Sequence, residues 1–167
     1  MASTLIIGGA RSGKSRRALH LAEAAASQRV FVATAEAFDE EMAARIERHR
    51  TERGPGWTTR EAPLELPGAI RESLQPGQVV VVDCLTLWLS NLMHAERSIP
   101  DATRALLAVI SQPGELILVS NEVGLGLVPE TPLGRAFRDH QGRLNQQVAK
   151  VCDRVEFVAA GLPLVLK

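Results

Sequence analysis

Short apolar runs alternate with longer amphipathic stretches along the whole chain, the pattern of βα units laid on a parallel sheet. Leu5-Ile6-Ile7 is the first run, followed by a Gly-rich turn and a helix expected from about Gly13 to Ser27. Val30 to Ala33 predicts a second strand. Asp39 to Arg53 predicts a helix with Met42, Ile46 and His49 on one face, stopped by Gly54-Pro55-Gly56. After Pro63, the spacing of Leu66, Ala69, Ile70 and Leu74 predicts a short helix. Val79-Val80-Val81-Val82 is too uniformly apolar for a half-exposed strand and fits a central parallel strand covered on both faces. Leu85–Met93 and Asp101–Ile110 read as helices separated by a polar break at Ser98-Ile99-Pro100. Leu116–Val119 is the next buried strand. Thr131-Pro132 supplies an N-cap and a first-turn proline for a long helix through Phe137, Leu144, Val148 and Val151. Val155–Val158 and Leu164–Leu166 are joined by a turn at Gly161 too short for a crossover, so the last strand should run antiparallel. The fold class is α/β, a mostly parallel central sheet flanked by helices, in one domain spanning residues 1–167.

Composition narrows this picture slightly. Nineteen acidic and nineteen basic residues balance to a formal charge of zero, which argues against a nucleic-acid or membrane-surface protein. Cys84 and Cys152 match no metal or redox spacing and read as buried thiols of a cytosolic protein. Met1 to Thr4 lead straight into an apolar strand without the layout of a signal peptide. No apolar stretch approaches the roughly 20 residues of a membrane span. The expectation is a cytoplasmic protein.

Chemistry enters at the first turn. Gly8-Gly9-Ala10-Arg11-Ser12-Gly13-Lys14-Ser15 satisfies G-x-x-x-x-G-K-[ST], the P-loop. Its glycines let main-chain N–H groups close around phosphate oxygens, and the following helix adds its positive end. Lys14 would neutralise the β and γ phosphates, and the Ser15 hydroxyl would hold Mg²⁺. A random chain of this length matches about once in a few hundred trials, and the match rarely falls between a strand and a helix. The fold expected is therefore that of a P-loop NTPase. Asp83, at the end of the four-valine strand, is the candidate second metal ligand, a reading the P-loop favours over that of a plain strand terminator. Glu122, after the next strand, could reach the same crevice.

His20, His94 and His140 have no neighbours that suggest chemistry. His49 lies among Arg45, Arg48, Arg50 and Arg53. Those cations would disfavour the imidazolium and attract a polyphosphate, leaving a neutral ring able to attack phosphorus. The competing reading is a basic helix end that complements the dipole, with His49 packed behind Ile46.

Four motifs in order carry a family resemblance: the P-loop, Asp-Glu-Glu-Met-Ala-Ala-Arg-Ile-Glu-Arg-His-Arg at 39–50, Asn-Glu-Val-Gly-Leu-Gly-Leu-Val-Pro-Glu at 121–130, and Gly-Arg-Leu-Asn-Gln at 142–146. Together they resemble the bifunctional adenosylcobinamide kinase / adenosylcobinamide-phosphate guanylyltransferases of cobalamin synthesis, from the first strand to the last. The resemblance implies ATP- or GTP-dependent phosphorylation of adenosylcobinamide. It also implies transfer of GMP from GTP, through a histidine, to adenosylcobinamide phosphate. By motif position His49 matches the guanylylated histidine, and Gly8–Ser15 the phosphate loop. Ala33, Thr34 and Ala35, then Arg50, Thr51, Glu52 and Arg53, match further nucleotide-contacting stretches. Glu61 and Asp83 match its acidic contacts. The resemblance implies a homotrimer. The alternatives are a simple P-loop small-molecule kinase, with no nucleophilic histidine, and a non-catalytic nucleotide sensor.

Overall fold

A computed structural model describes residues 2–36 and 40–167, together with all side chains in those ranges except Met42, Arg45, Arg48, His49 and Glu52. Seven strands form one sheet in the order β3-β2-β4-β5-β1-β6-β7. They are β1 (Ser3–Gly8), β2 (Gln28–Ala33), β3 (Trp57–Glu61), β4 (Gln78–Asp83), β5 (Glu115–Asn121), β6 (Arg154–Ala159) and β7 (Leu162–Val165). Every pairing is parallel except β6–β7, which closes the sheet with the antiparallel hairpin expected from the short turn. The helices are α1 (Lys14–Ala25), α2 (Glu40–Glu52), α3 (Leu66–Ser73), α4 (Leu85–His94), α5 (Ile99–Ile110) and α6 (Pro132–Val151).

The valines of β4 explain the layering. Val80 and Val82 face a large core with Leu66 and Ile70 of α3, Trp88 and Leu89 of α4, Leu106 of α5 and Leu144 of α6. Val79 and Val81 face the opposite side, where Ala18 and Ala22 of α1 pack with Phe31, Ile117 and Val119. All four valines are fully buried, as a doubly covered parallel strand requires. Trp88 anchors the thicker layer and is itself fully buried, its indole N–H donating to the Leu64 carbonyl at 2.9 Å.

Two expectations need correction. The pattern assigns no strand between Gly56 and Pro63, yet β3 forms there and pairs with β2 from Arg29↔Trp57 to Ala33↔Glu61. Its alternation is masked because this edge strand is only half-covered on both faces. The break at Ser98-Ile99-Pro100 is instead the start of α5. Ser98 is its N-cap, the hydroxyl accepting from the Asp101 N–H at 3.4 Å, and Pro100 sits in the first turn, where no helical N–H is needed. The expected beginning of the second helix at Asp39 lies outside the described residues.

Candidate active site

Parallel pairing brings the carboxyl ends of the strands to one edge. Gly8 is level with Asn121, Ala33 is level with both Glu61 and Asp83, and Asp83 is level with Val119. The Gly8–Ser15 loop springs from this edge at β1 and leads directly into α1. Two of its glycines are required by geometry. A methyl group at Gly8 would lie 2.6 Å from the Val158 carbonyl oxygen of β6, and Gly13 turns the chain at φ 97° as the cap of α1. Arg11, exposed at the loop's outer bend, also has positive φ, a strained conformation of the kind that clusters at ligand clamps. Gly9 is open on the side where a Cβ would project. Its carbonyl accepts from the Lys14 ammonium at 3.0 Å, so the lysine already lies across the loop. Ser12 is buried, and its N–H donates to the Gly9 carbonyl at 3.3 Å. Ala10 and Ser15 are exposed.

Two strands away, half-buried Asp83 ends β4. Cys84, next in the chain, caps α4 by accepting the Leu87 N–H on its sulfur. Burial, reinforced by the Asp83 charge, pushes its thiol up to about 11, while Lys14 acts in the opposite direction. The lysine field therefore extends to the end of β4.

Thr34, expected to contact nucleotide, is fully buried and holds the edge together. Its hydroxyl donates to the Cys84 carbonyl at 2.7 Å and accepts the Cys84 N–H at 2.9 Å. Asn91 of α4 donates to the Thr34 and Pro63 carbonyls at 2.8 and 3.0 Å. Ala33 is likewise buried, its carbonyl accepting from the Ala62 N–H at 2.8 Å, while Ala35 is half-buried. The Thr34 side chain thus positions the neighbouring backbone, a role its sequence context does not reveal.

Residues of the second predicted cluster divide. Position 49 falls in the last turn of α2, but the His49 side chain lies outside the described residues, as does that of Glu52. Arg53, just beyond the helix, lays its guanidinium 3.8 Å from the centroid of the Phe31 ring and donates to the Thr59 hydroxyl at 2.9 Å. Burial lowers its pKa, as does the Arg50 charge, whereas Asp83 opposes the fall. Arg53 thus ties the end of α2 to the middle of β2 and β3. Arg50 and Thr51 line a polar groove of about 520 Å³ shared with Glu47 and with Trp57, Thr58 and Thr59 of β3, and no residue of the phosphate loop lines it. Glu61 is exposed at the end of β3.

Glu122 also reaches the edge. Its N–H donates to the Gly8 carbonyl at 3.0 Å, and its carboxylate accepts the Gly124 N–H. Behind it, a buried polar cluster joins β5 to α6. The Asn145 side-chain N–H donates to the Asn121 carbonyl at 3.0 Å, the Ser120 hydroxyl donates to the Asn145 oxygen at 2.6 Å, and Gln141 donates to both. Asn145 stands in the 142–146 motif, so that motif marks support of the loop root. The Arg17–Glu156 pair has no comparable sequence signal. Arg17 of α1 meets fully buried Glu156 of β6 through two hydrogen bonds of 2.8 and 2.9 Å, and Arg154 adds a third. Partners 139 residues apart are visible only once β1 and β6 pair.

A glycine-rich loop between a buried strand and a helix, with its lysine across it and a carboxylate two strands over, defines a P-loop nucleotide-using protein. The fold agrees with solved P-loop ATPase structures. It superposes on the type III secretion ATPase EscN of enteropathogenic E. coli with TM-score 0.57 at 10% identity, over 95% of this chain and 43% of that one. On the P4 protein of bacteriophage phi6, solved with ADP, the TM-score is 0.52 at 15% identity, over 97% and 52%. These likenesses concern the fold alone. The chain belongs to the cobinamide kinase / cobinamide phosphate guanyltransferase family, whose model it matches over residues 4–166. It is 46% identical to the bifunctional adenosylcobalamin biosynthesis protein CobP of Pseudomonas aeruginosa, over 98% of this chain and 96% of that protein. It is 38% identical to CobU of Salmonella typhimurium, with 98% of each covered. Among the described residues no helix is long and apolar enough to cross a membrane.

Proposed function

We propose that the two activities of this family divide between the two predicted clusters, the phosphate loop serving both reactions and the end of α2 serving guanylyl transfer alone. In the first reaction the aminopropanol hydroxyl oxygen of adenosylcobinamide attacks the γ-phosphorus of ATP or GTP. The bond to the β-phosphate bridging oxygen breaks, the nucleoside diphosphate leaves, and the hydroxyl proton is lost to solvent. In the second, a His49 ring nitrogen attacks the α-phosphorus of GTP and pyrophosphate departs. A phosphate oxygen of adenosylcobinamide phosphate then attacks the same phosphorus, the P–N bond breaks, and adenosylcobinamide-GDP forms with His49 restored. A covalent step splits one transfer between two large molecules into two smaller ones.

Lys14 and the loop N–H groups neutralise and orient the phosphates in both steps. Ser15 and Asp83 suit Mg²⁺, which takes one or two protein oxygens and completes its shell with phosphate and water. When bound, the ion offsets charge on the phosphate oxygens. The observation that carries the reading is Arg53. It follows position 49 by one turn, stacks on Phe31 and feels the Asp83 charge, which supports an α2 end near enough to β2 and that carboxylate to share a nucleotide with the phosphate loop. Assembly as a homotrimer in the cytoplasm accompanies the proposal.

The test is incubation with GTP labelled at the α-phosphate, followed by intact mass measurement. Wild-type protein should gain one GMP, in an acid-labile and base-stable bond that His49→Ala does not form. No adduct on wild-type protein that binds GTP would sink the guanylyl half. A simple kinase would phosphorylate adenosylcobinamide without any adduct.

A further inference from the structure

The β6–β7 hairpin is remote in sequence from the phosphate loop, yet it forms one side of it. The Gly161 N–H donates to the Ser12 carbonyl at 2.8 Å. A methyl group at Gly13 would lie 3.1 Å from the Gly161 Cα, and one at Gly8 would lie 2.6 Å from the Val158 carbonyl. The Arg17–Glu156 bonds tie α1, the helix that continues the loop, to β6 of the same hairpin. We propose that the Ala160–Gly161 turn sets the direction of a phosphate-binding N–H group, and that Gly161 is a positioning residue for both reactions; this rests on the reading that the loop holds the triphosphate in each.

The physical reason is the planarity of one peptide unit. In a trans peptide the C=O and the N–H point to opposite sides. Gly161 draws the Ser12 carbonyl toward the hairpin, so the Gly13 N–H of the same unit is aimed away from the hairpin and into the loop. Without that anchor the 12–13 peptide could rotate and present its carbonyl to the phosphates, replacing attraction by repulsion. The turn is suited to the task. Ala160 and Gly161 have φ of 52° and 78°, as mirror-image two-residue hairpin turns require. The ladder closes at Ala159↔Leu162, leaving the Gly161 N–H to reach across to Ser12.

The experiment compares Gly161→Val with Gly161→Asn. Space is not the issue, because a Cβ at Gly161 meets only the Arg16 guanidinium, at 3.8 Å. Conformation is: a β-branched residue resists positive φ, whereas Asn accepts it and retains the N–H. Calorimetry with a non-hydrolysable GTP analogue should show affinity falling about tenfold in Gly161→Val, the order expected for misdirecting one charge-assisted backbone hydrogen bond. Gly161→Asn should bind like wild type. In turnover, KM for the nucleotide should rise in both reactions while KM for the corrinoid stays unchanged. Folded Gly161→Val with wild-type affinity overturns the proposal, and so does equal loss in both variants. Should Gly161→Val fail to fold, amide exchange in wild-type protein decides. Saturating analogue should slow exchange at Gly161 strongly and at Gly77, in the turn before β4, far less; no slowing at Gly161 refutes the coupling. Because the analogue forms no adduct, these readings are independent of whether His49 is guanylylated.

Discussion

The two predicted clusters are built differently. The phosphate loop grows from a buried strand, leads into a helix whose Ala18 and Ala22 are fully buried, and is flanked by β5 and β6. The end of α2 sits toward the β3 side, and most of its described side chains are exposed: Glu40, Glu41, Ala43, Ala44, Glu47, Arg50 and Thr51. There Arg53, stacked on Phe31 and donating to Thr59, ties the helix end to β2 and β3. A loop that must hold its N–H groups in fixed directions needs surrounding support. A nucleophile needs one reactive atom within reach, and a surface helix can supply that. The difference teaches that shared function does not demand equal packing.

The sharpest way to break this comparison is to remove one reactive group from each region. Lys14→Ala should lower kcat/KM of both reactions by about 10²- to 10³-fold, the cost of losing one electrostatic contact to the transition state. His49→Ala should abolish the GMP adduct and guanylyl transfer and leave phosphorylation of adenosylcobinamide near wild type. If His49→Ala removed both activities equally, the division of labour would be wrong.

Next in size is the buried pair behind the loop. Glu156→Gln leaves Arg17 and Arg154 facing a neutral amide and should cost about 3 kcal/mol, near the lower end for breaking a buried pair because Arg17 keeps 26% of its side-chain exposure. Thermal denaturation should show Tm lowered by about 6 to 10 °C. The Arg17 hydrogen bonds hold the Glu156 carboxyl below its ordinary value of 4.5. A depressed folded pKa means the contribution is complete above pH 4.5 and is lost as pH falls through the folded value. The wild-type advantage over Glu156→Gln should therefore be constant at neutral pH and shrink in acid. A difference that grows in acid would contradict the assignment.

A smaller effect tests the other region. Arg53→Lys keeps the charge but loses the planar stack on Phe31 and its fixed geometry toward Thr59, costing about 1 kcal/mol. Urea titration should register that loss, and KM for GTP should rise in guanylyl transfer more than in phosphorylation. The smallest effect concerns the thiols. Burial pushes Cys84 and Cys152 each up to about 11, so alkylation of folded protein at pH 7 should be slow and become fast only on unfolding. Rapid modification of native Cys84 would mean that the end of β4 opens more readily than its packing implies.

Legibility in the sequence followed the range of the interactions. The loop, the buried valines of β4, the closing hairpin and the Thr131 cap are local patterns, and each stands where its pattern places it. β3 escaped because an edge strand half-covered on both faces lacks a clean alternation. Thr34 shows a different limit. Its position beside the site was readable, but its hydroxyl bonds the backbone of Cys84, fifty residues away, and a β-branched polar residue after a strand carries no sign of that. The Arg17–Glu156 and Gly161–Ser12 pairings span more of the chain still and gave no signal.

By itself the sequence determined the α/β class, the phosphate loop and the family, because these rest on periodicity and on motifs read within a few residues. Only the tertiary structure decided what holds the loop in shape: the Arg17–Glu156 pair, the Glu122 N–H on Gly8, and the Gly161 N–H on Ser12. Backbone donors and acceptors are the same in every residue but proline, so their pairing across the chain leaves almost no trace in residue identity. Their partners are chosen when strands far apart in sequence take neighbouring places in one sheet.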